Sequence, residues 1–192
     1  MTRVVRTALC IAGAGAAAIF LAVRGPATEA AQSGVPRANT LVSPSAYVSL
    51  EPAPRGRTFE IGVALKVRDG FHVNAHEVSE EYLIPTEVSA ELPAGFHILG
   101  VTYPKGTLRK FDFSEKKLNV YEGTVLVRMK VETLANAPLG HQSLPLKLRY
   151  QACSTEACYP PVNLPVAAEL QVAERGAAAH PAHTEIFSVV KP

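Results

Sequence analysis

The feature that most constrains this chain is an apolar residue at every second position, repeated in several separate segments. The clearest segment lies between residues 59 and 67, and the Asp69-Gly70 pair behind it supplies a hairpin-type turn. This period belongs to a strand with one buried face. Turn signals separate roughly eight or nine such segments, and none outside the N-terminus has a convincing helical stripe. We predict an all-β fold, an immunoglobulin-like antiparallel β-sandwich with an N-terminal signal or anchor helix and a disordered tail.

Composition divides the chain into four parts. Residues 1–31 join two arginines to an apolar run, which is typical of an export signal peptide or an N-terminal anchor. Residues 32–45 are rich in Ala, Pro, Ser and Gly and predict a flexible leader. The sandwich domain is predicted over residues 46–173, and residues 174–192 are expected to be disordered.

The charge balance argues against a nucleic-acid partner. The formal net charge is +2, and residues 1–31 alone account for it. The remainder is therefore close to neutral and has neither a basic field for nucleic acid nor a polybasic membrane patch.

Two of the three cysteines, Cys153 and Cys158, lie close together in the chain. Cys10 sits inside the N-terminal apolar run, and we expect it to leave with the signal. Two remaining cysteines in an oxidising compartment pair by default. The alternation over residues 144–152 places Cys153 on the polar side of its strand, where we expect an accessible sulfur.

The residues alone leave three interpretations of this pair open. A structural disulfide is the common one, yet closing a ring of six residues stabilises the fold by only about 2 kcal/mol. An accessible pair suits thiol–disulfide exchange, although Glu156 between the cysteines disfavours a thiolate. Metal or copper handling by the two thiols and a nearby histidine is a third alternative.

Other candidate sites are weaker. His72 and His76, four apart on a strand, would lie about 13 Å from each other, and no third ligand has suitable spacing. Ser154 lacks a Gly-x-Ser-x-Gly turn and an evident base, which argues against hydrolase chemistry. We expect no metal and no other cofactor.

Two segments carry a resemblance to a known family. Tyr-Gln-Ala-Cys-x4-Cys-Tyr-Pro-Pro at residues 150–161 resembles the active-site segment of the N-terminal periplasmic domain of the thiol:disulfide interchange protein DsbD family. Residues 70–76, followed by Tyr-Leu-Ile-Pro-Thr at residues 82–86, resemble a second segment of that domain. The resemblance spans about residues 46–172, the whole predicted domain.

The resemblance implies a function for each cysteine. Domains of this family take electrons from a membrane-embedded partner and pass them to periplasmic thioredoxin-fold proteins, including those for disulfide isomerisation and cytochrome c maturation. Matched by position, Cys158 would form the mixed disulfide with a partner, and Cys153 would resolve it by forming the Cys153–Cys158 disulfide. A cap loop shields the cysteines in the family; Phe111 and Phe113 in residues 103–117 are our candidates for it, the alternative being a solvated basic loop.

These implications define the function that we expect. The chain would be a periplasmic or otherwise exported protein-disulfide reductase, monomeric, either free or held by an uncleaved N-terminal anchor. The membrane and thioredoxin-like domains of the full family protein are not in this sequence, so a separate membrane electron donor is expected. The alternative is a non-enzymatic immunoglobulin-like binding module with a structural disulfide.

Overall fold

The alternating segments form strands in the computed structural model, which describes residues 36–188. A 3-10 helix (Ala38–Thr40) precedes them, and a short helix, α1 (Thr184–Ser188), follows them. The strands are β1 (Val42–Val48), β2 (Leu50–Glu51), β3 (Ala53–Pro54), β4 (Thr58–Val67), β5 (His72–Asn74), β6 (Glu87–Ala90), β7 (Phe96–Thr102), β8 (Thr107–Arg109), β9 (Leu118–Tyr121), β10 (Thr124–Thr133), β11 (Gly140–Tyr150), β12 (Ala152–Cys153), β13 (Val162–Ala173) and β14 (His180–Pro181).

Two four-stranded sheets make the sandwich. The first has the order β1-β4-β10-β7 and is antiparallel throughout. The second has the order β3-β13-β11-β6, in which β3 runs parallel to β13 and the other pairs are antiparallel. The predicted immunoglobulin-like β-sandwich is confirmed.

The core lies between the inward faces of these sheets. Ile61 and Val63 of β4 are fully buried, as are Val127 and Met129 of the neighbouring β10. The apolar positions of β11 and β13 join them in one buried cluster. Each such side chain contributes about 1.5–3 kcal/mol when it leaves water, which is why the alternation in the sequence fixes the register.

A third sheet, with the order β12-β5-β9-β8, carries the cysteine segment. The chain enters it directly from the second sheet, because only Gln151 separates the end of β11 from β12. The β8–β9 hairpin forms the other side of this sheet, and we call its tip, residues 110–117, the hairpin tip.

The folded part begins before residue 46, within the predicted leader. Val42 already pairs with Val67 across β1 and β4, and Leu41 is fully buried. The Tyr150 hydroxyl donates a 2.8 Å hydrogen bond to the Ala38 carbonyl oxygen. These long-range partners order a segment whose own composition predicts flexibility.

Residues 174–188 also differ from the predicted disordered tail. His180 pairs with Glu51 of β2, and the His183 Nδ1 lies 3.0 Å from the Val48 carbonyl oxygen. Further on, the guanidinium of Arg128 donates to the Phe187 carbonyl and lies over its ring. The segment is held by its pairing with β2 and by contacts with the first sheet, which its local sequence does not reveal.

The predicted signal or anchor, residues 1–31, lies outside the described residues, as do residues 189–192. Within residues 36–188, no helix is long and apolar enough to span a membrane.

Candidate functional site

Cys153 and Cys158 form a disulfide across a tight hairpin. The S–S distance is 2.01 Å and the two Cα atoms are 3.9 Å apart. The residues face each other as an antiparallel bridge, and the Tyr159 N–H donates a 2.8 Å hydrogen bond to the Ala152 carbonyl just outside it. The loop therefore closes through its backbone as well as through the sulfur atoms.

Ser154 shapes the turn between the cysteines. Its backbone N–H donates to the Ala157 carbonyl at 2.8 Å, and its hydroxyl oxygen accepts from the N–H groups of Glu156 and Ala157, both at 3.2 Å. Such short-range bonds are why serine favours turns. Ser154 thus has a structural part in the site that a search for nucleophiles does not reveal.

The two cysteines differ in exposure, and Cys153 is the reverse of what its sequence pattern predicts. Cys153 is 0% exposed, whereas Cys158 is exposed. The predicted alternation holds through Leu144, Leu148 and Tyr150, which are all buried. It still holds at Ala152, which is buried, and first fails at Cys153. The chain has changed sheets at Gln151, so the inside and outside of β11 do not carry over to Cys153. The sulfur accessible to a partner belongs to Cys158.

Gln151 connects the two sequence segments that carry the family resemblance. Its Oε1 accepts from the Asn74 Nδ2 at 3.2 Å and from the Ile84 N–H at 3.4 Å. Its Nε2 donates to the Tyr159 carbonyl at 3.2 Å, on the far side of the disulfide. Asn74 in turn donates to the Ile84 carbonyl at 2.9 Å, and Thr86 donates to the Asn74 carbonyl at 2.6 Å. Residues 74, 84 and 151 therefore form one polar network behind the cysteine hairpin.

An aromatic stack stands beside Cys153. Cys153 is the cross-strand partner of His72 in the β12–β5 pair. The His72 ring stacks on Phe111 with 4.0 Å between centroids, and Phe111 stacks on Phe113 at 5.4 Å. We call these three side chains the aromatic stack. The hairpin tip is therefore anchored next to the buried cysteine through His72.

Burial in the stack is graded. His72 is 2% exposed and Phe111 is 8% exposed, while Phe113 at the outer end is 39% exposed. Phe111 also packs in a small apolar cluster with Leu83 and Leu118. The hairpin tip thus has one firmly packed ring and one ring open to solvent or to a partner.

His72 is electrostatically unusual. Burial lowers its pKa from the ordinary 6.5 to about 4, and the nearby Glu122 carboxylate opposes that shift. The Nε2 atom is buried and has no hydrogen-bond partner among residues 36–188. His72 is therefore neutral at physiological pH, and the residue opposite Cys153 carries a buried polar atom that is not used in a hydrogen bond.

A shallow cleft of about 240 Å³ opens beside the stack. Thr155 of the cysteine loop lines it together with His72, Phe111 and Glu122. Arg109 binds the Glu122 carboxylate through two hydrogen bonds, of 2.8 and 3.0 Å. The cleft is thus partly aromatic and partly charged, and it reaches the loop that contains Cys158.

His76, the other histidine of the motif, lies apart from the cysteines. Its ring stacks on Tyr103 at 3.7 Å, and its Nδ1 lies 3.1 Å from the Thr86 carbonyl oxygen. In residues 36–188 no group of three or more His, Cys, Asp and Glu side chains is arranged to hold a metal ion.

The two cysteines, together with Phe111 and Phe113, are the site candidates that the sequence and its family resemblance single out, and neither assigns a part in the site to His72, Gln151 or Asn74. All three were inside the family-like segments, which was the available signal. What those segments do not reveal is that Gln151 joins them and that His72 faces Cys153.

The comparisons with known proteins agree with the resemblance in the sequence. The family model described as "Thiol:disulfide interchange protein DsbD, N-terminal" matches residues 38–169, more than half of the chain. No curated protein matches.

Two solved structures are similar at low identity. The PapD-like domain 7 (ASH/PapD-like) of human CEP192 is 14% identical with a TM-score of 0.37, over 74% of this chain and 92% of that one. AggA, the major subunit of aggregative adherence fimbriae type I from Escherichia coli, is 8% identical with a TM-score of 0.27, over 68% of this chain and 96% of that one.

The family match covers the cysteine hairpin, the aromatic stack and the polar network together, and the domain that it describes is periplasmic in its family. This chain belongs to the family of the N-terminal domain of the thiol:disulfide interchange protein DsbD.

Proposed function

We propose that this chain is an exported thiol–disulfide exchange domain that relays reducing equivalents from a separate membrane electron donor to periplasmic thioredoxin-fold oxidoreductases. One observation carries the proposal: the bonded cysteines are unequal, with Cys158 exposed and Cys153 buried. Exchange needs one sulfur that a partner can reach and a second that resolves the mixed disulfide. The domain would work in the periplasm as a monomer, free or held by its N-terminal segment.

The proposed cycle transfers two electrons. In the reduced domain, the Cys158 thiolate attacks a partner's disulfide, forms a mixed disulfide and releases one partner thiolate. Cys153 then attacks the Cys158 sulfur, which restores the Cys153–Cys158 disulfide and releases the second partner thiolate. The partner leaves as a dithiol, and the membrane donor reduces the domain again by the reverse exchange.

We assign the hairpin tip the role of a cap. Phe111 is buried against His72, which is the cross-strand neighbour of Cys153, so the stack restricts the approach of small thiols and oxidants to that side. Phe113 is exposed enough to meet a partner directly. A protein that docks against Phe113 would reach Cys158, whereas most small molecules would meet the stack first.

A structural disulfide in a non-enzymatic binding module is the alternative. It has less support, because the hydrogen bonds of Ser154 and Tyr159 already close the hairpin. The bridge joins residues only five apart. It therefore restricts the unfolded chain little and stabilises the fold by only about 2 kcal/mol.

Trapping tests the proposal. A Cys153→Ser variant should accumulate a mixed disulfide through Cys158 when mixed with an oxidised thioredoxin-fold protein, seen as a reducible adduct in mass spectrometry. The matched Cys158→Ser variant keeps only the buried thiol and should give far less adduct. Equal trapping by both variants, or cysteine substitutions that change only the melting temperature, would contradict the relay.

The reduction potential of the pair is an independent measurement. A value near that of thioredoxin, about −270 mV, supports exchange with such partners. A value well below about −300 mV is typical of structural disulfides and would favour the binding module.

A further inference from the structure

We propose that His72 accepts the thiol proton of Cys153 when Cys153 resolves the mixed disulfide, and passes that proton to the departing partner thiolate. The inference rests on the exchange function proposed above and assigns a further residue to it.

The position of His72 opposite Cys153 supports this role. Cys153 and His72 are direct partners in the antiparallel β12–β5 pair. Directly opposite residues point their side chains to the same face, with Cβ atoms about 4.5–5.5 Å apart. An imidazole on one of them is therefore within reach of a thiol on the other once the disulfide opens.

The Cys153 thiol needs a nearby proton acceptor. Cys153 is fully buried, and burial in apolar surroundings raises the pKa of a thiol because the thiolate is poorly solvated. The thiolate is nonetheless the attacking form. Water has little access to this sulfur, so a neighbouring side chain must take the proton.

The His72 ring is available for the transfer. The buried Nε2 of His72 has no hydrogen-bond partner among the described residues. The ring is held in place by Phe111 at 4.0 Å, so its position is fixed before the proton moves. Desolvation lowers the pKa of His72 to about 4, so the imidazole is neutral near pH 7 and carries an unprotonated ring nitrogen. It can take the proton only when a thiolate forming at Cys153 raises its pKa.

The charges around His72 come from three elements. Glu122, which follows β9, favours the imidazolium and is itself bound by Arg109. Arg68 and Asp69, in the turn before β5, line the same cleft with opposite charges. Phe111 and Phe113 of the hairpin tip add none. The largest new charge during resolution would be the Cys153 thiolate, which raises the pKa of an adjacent imidazole.

The step balances as follows. The proton of Cys153 moves to His72, and the Cys153 sulfur forms a bond to the Cys158 sulfur. The bond between Cys158 and the partner breaks, and its electron pair leaves with the partner sulfur. The His72 imidazolium then returns the proton to that thiolate and is neutral again.

A purely structural His72 would behave differently. If the ring only fills space under Phe111, phenylalanine would serve as well, since it stacks and is of similar size. If His72 transfers a proton, His72→Phe removes the reaction step while keeping the stack.

The experiment follows reduced protein with dithiobis(nitrobenzoate) by stopped flow. Attack by Cys158 releases the first coloured thiolate, and resolution by Cys153 releases the second. We expect His72→Phe to slow the second phase about 100-fold or more near pH 7, in the range of a lost general base, with the first phase within about twofold. The variant's second phase should rise about tenfold per pH unit, following the thiolate, while the wild-type rate changes much less.

His76→Phe is the matched control. His76 also stacks on an aromatic ring, Tyr103, but lies outside the cysteine hairpin. Both phases should stay within about twofold of wild type. Where His72→Phe does not fold, His72→Gln takes its place and should give the same loss and the same pH dependence.

The outcomes separate the two proposals. A wild-type protein without a second phase would overturn the exchange function itself. A normal wild-type reaction, combined with a His72 variant of unchanged second-phase rate and pH profile, would overturn the role of His72 alone. An equal slowing of both phases would also overturn it, because that result reports a disturbed cap.

Discussion

Removal of the Gln151 side-chain amide is the sharpest test of how the cysteine hairpin is held. Gln151→Leu keeps the approximate size of the side chain but abolishes its hydrogen bonds to Asn74, Ile84 and Tyr159. Two of these are 3.2 Å long and the third is 3.4 Å. The substitution leaves the disulfide, the aromatic stack and the core of the sandwich chemically unchanged.

The expected loss follows from those contacts. A neutral hydrogen bond contributes about 1 kcal/mol, and a buried group left without its partner adds to the loss. Asn74 is fully buried but keeps its bond to the Ile84 carbonyl, and the new leucine recovers some apolar contact. We therefore expect the free energy of unfolding to fall by about 2 kcal/mol, which corresponds to about 4–8 °C in melting temperature for a domain of this size.

Urea unfolding of the oxidised protein measures this loss. The midpoint should fall without a change in slope. Gln142→Leu is the matched control, because the Gln142 side chain makes one exposed 3.4 Å bond to the Leu139 carbonyl, and its loss should stay within about 0.5 kcal/mol. Equal unfolding free energies for the two variants would refute the network as the support of the hairpin.

Three further results are expected. Phe113→Ala should speed reduction of the disulfide by dithiothreitol several-fold with little loss of stability, because this ring is 39% exposed at the outer end of the stack; an unchanged rate would argue against a cap. The pKa of His72 is about 4 in the folded protein against the ordinary 6.5, so between these pH values the unfolded chain binds more protons than the folded one. The free energy of unfolding, measured in urea, should fall by about 3 kcal/mol as the pH drops from 6.5 to 4 and level off below that. His72→Phe should remove this loss. Phe187→Ala should raise amide hydrogen exchange in α1 and leave the sandwich protected, because the Phe187 ring packs against the outer face of the first sheet at Gly62. Exchange equal to that of the wild type would show that the helix is held by other contacts.

The sandwich could be predicted because the burial of alternate side chains follows from the sequence of each strand by itself. Ile61, Val63 and Leu65 are buried as their alternation requires, since a slip of one residue would expose them all. The same rule misplaced Cys153, because the alternation of a strand has no meaning after the chain moves to another sheet. The crossing at Gln151 depends on hydrogen bonds to Asn74 and Ile84, which are distant in sequence.

The ends of the domain were missed for the same reason. The segment around Leu41 is weak as an isolated strand, yet it is ordered by its pairing with β4 and by the Tyr150 hydroxyl. His183 and Phe187 likewise obtain their order from Val48 and Arg128. The spacing of the two cysteines was enough to single them out as a candidate pair. The pairing of His72 with Cys153 could not be predicted in this way, because it depends on the register of two short strands.

The backbone bonds of the cysteine hairpin have a kinetic consequence. Because the Tyr159–Ala152 bond and the Ser154 turn do not depend on the sulfur atoms, the two cysteines should stay side by side after the disulfide opens. The effective molarity of the Cys153 thiol toward a sulfur bound to Cys158 is then far above the concentration of any competing thiol in solution. Under the proposed exchange function, a mixed disulfide on this domain would be short-lived, and each encounter with a partner would end in complete two-electron transfer instead of a stalled covalent complex.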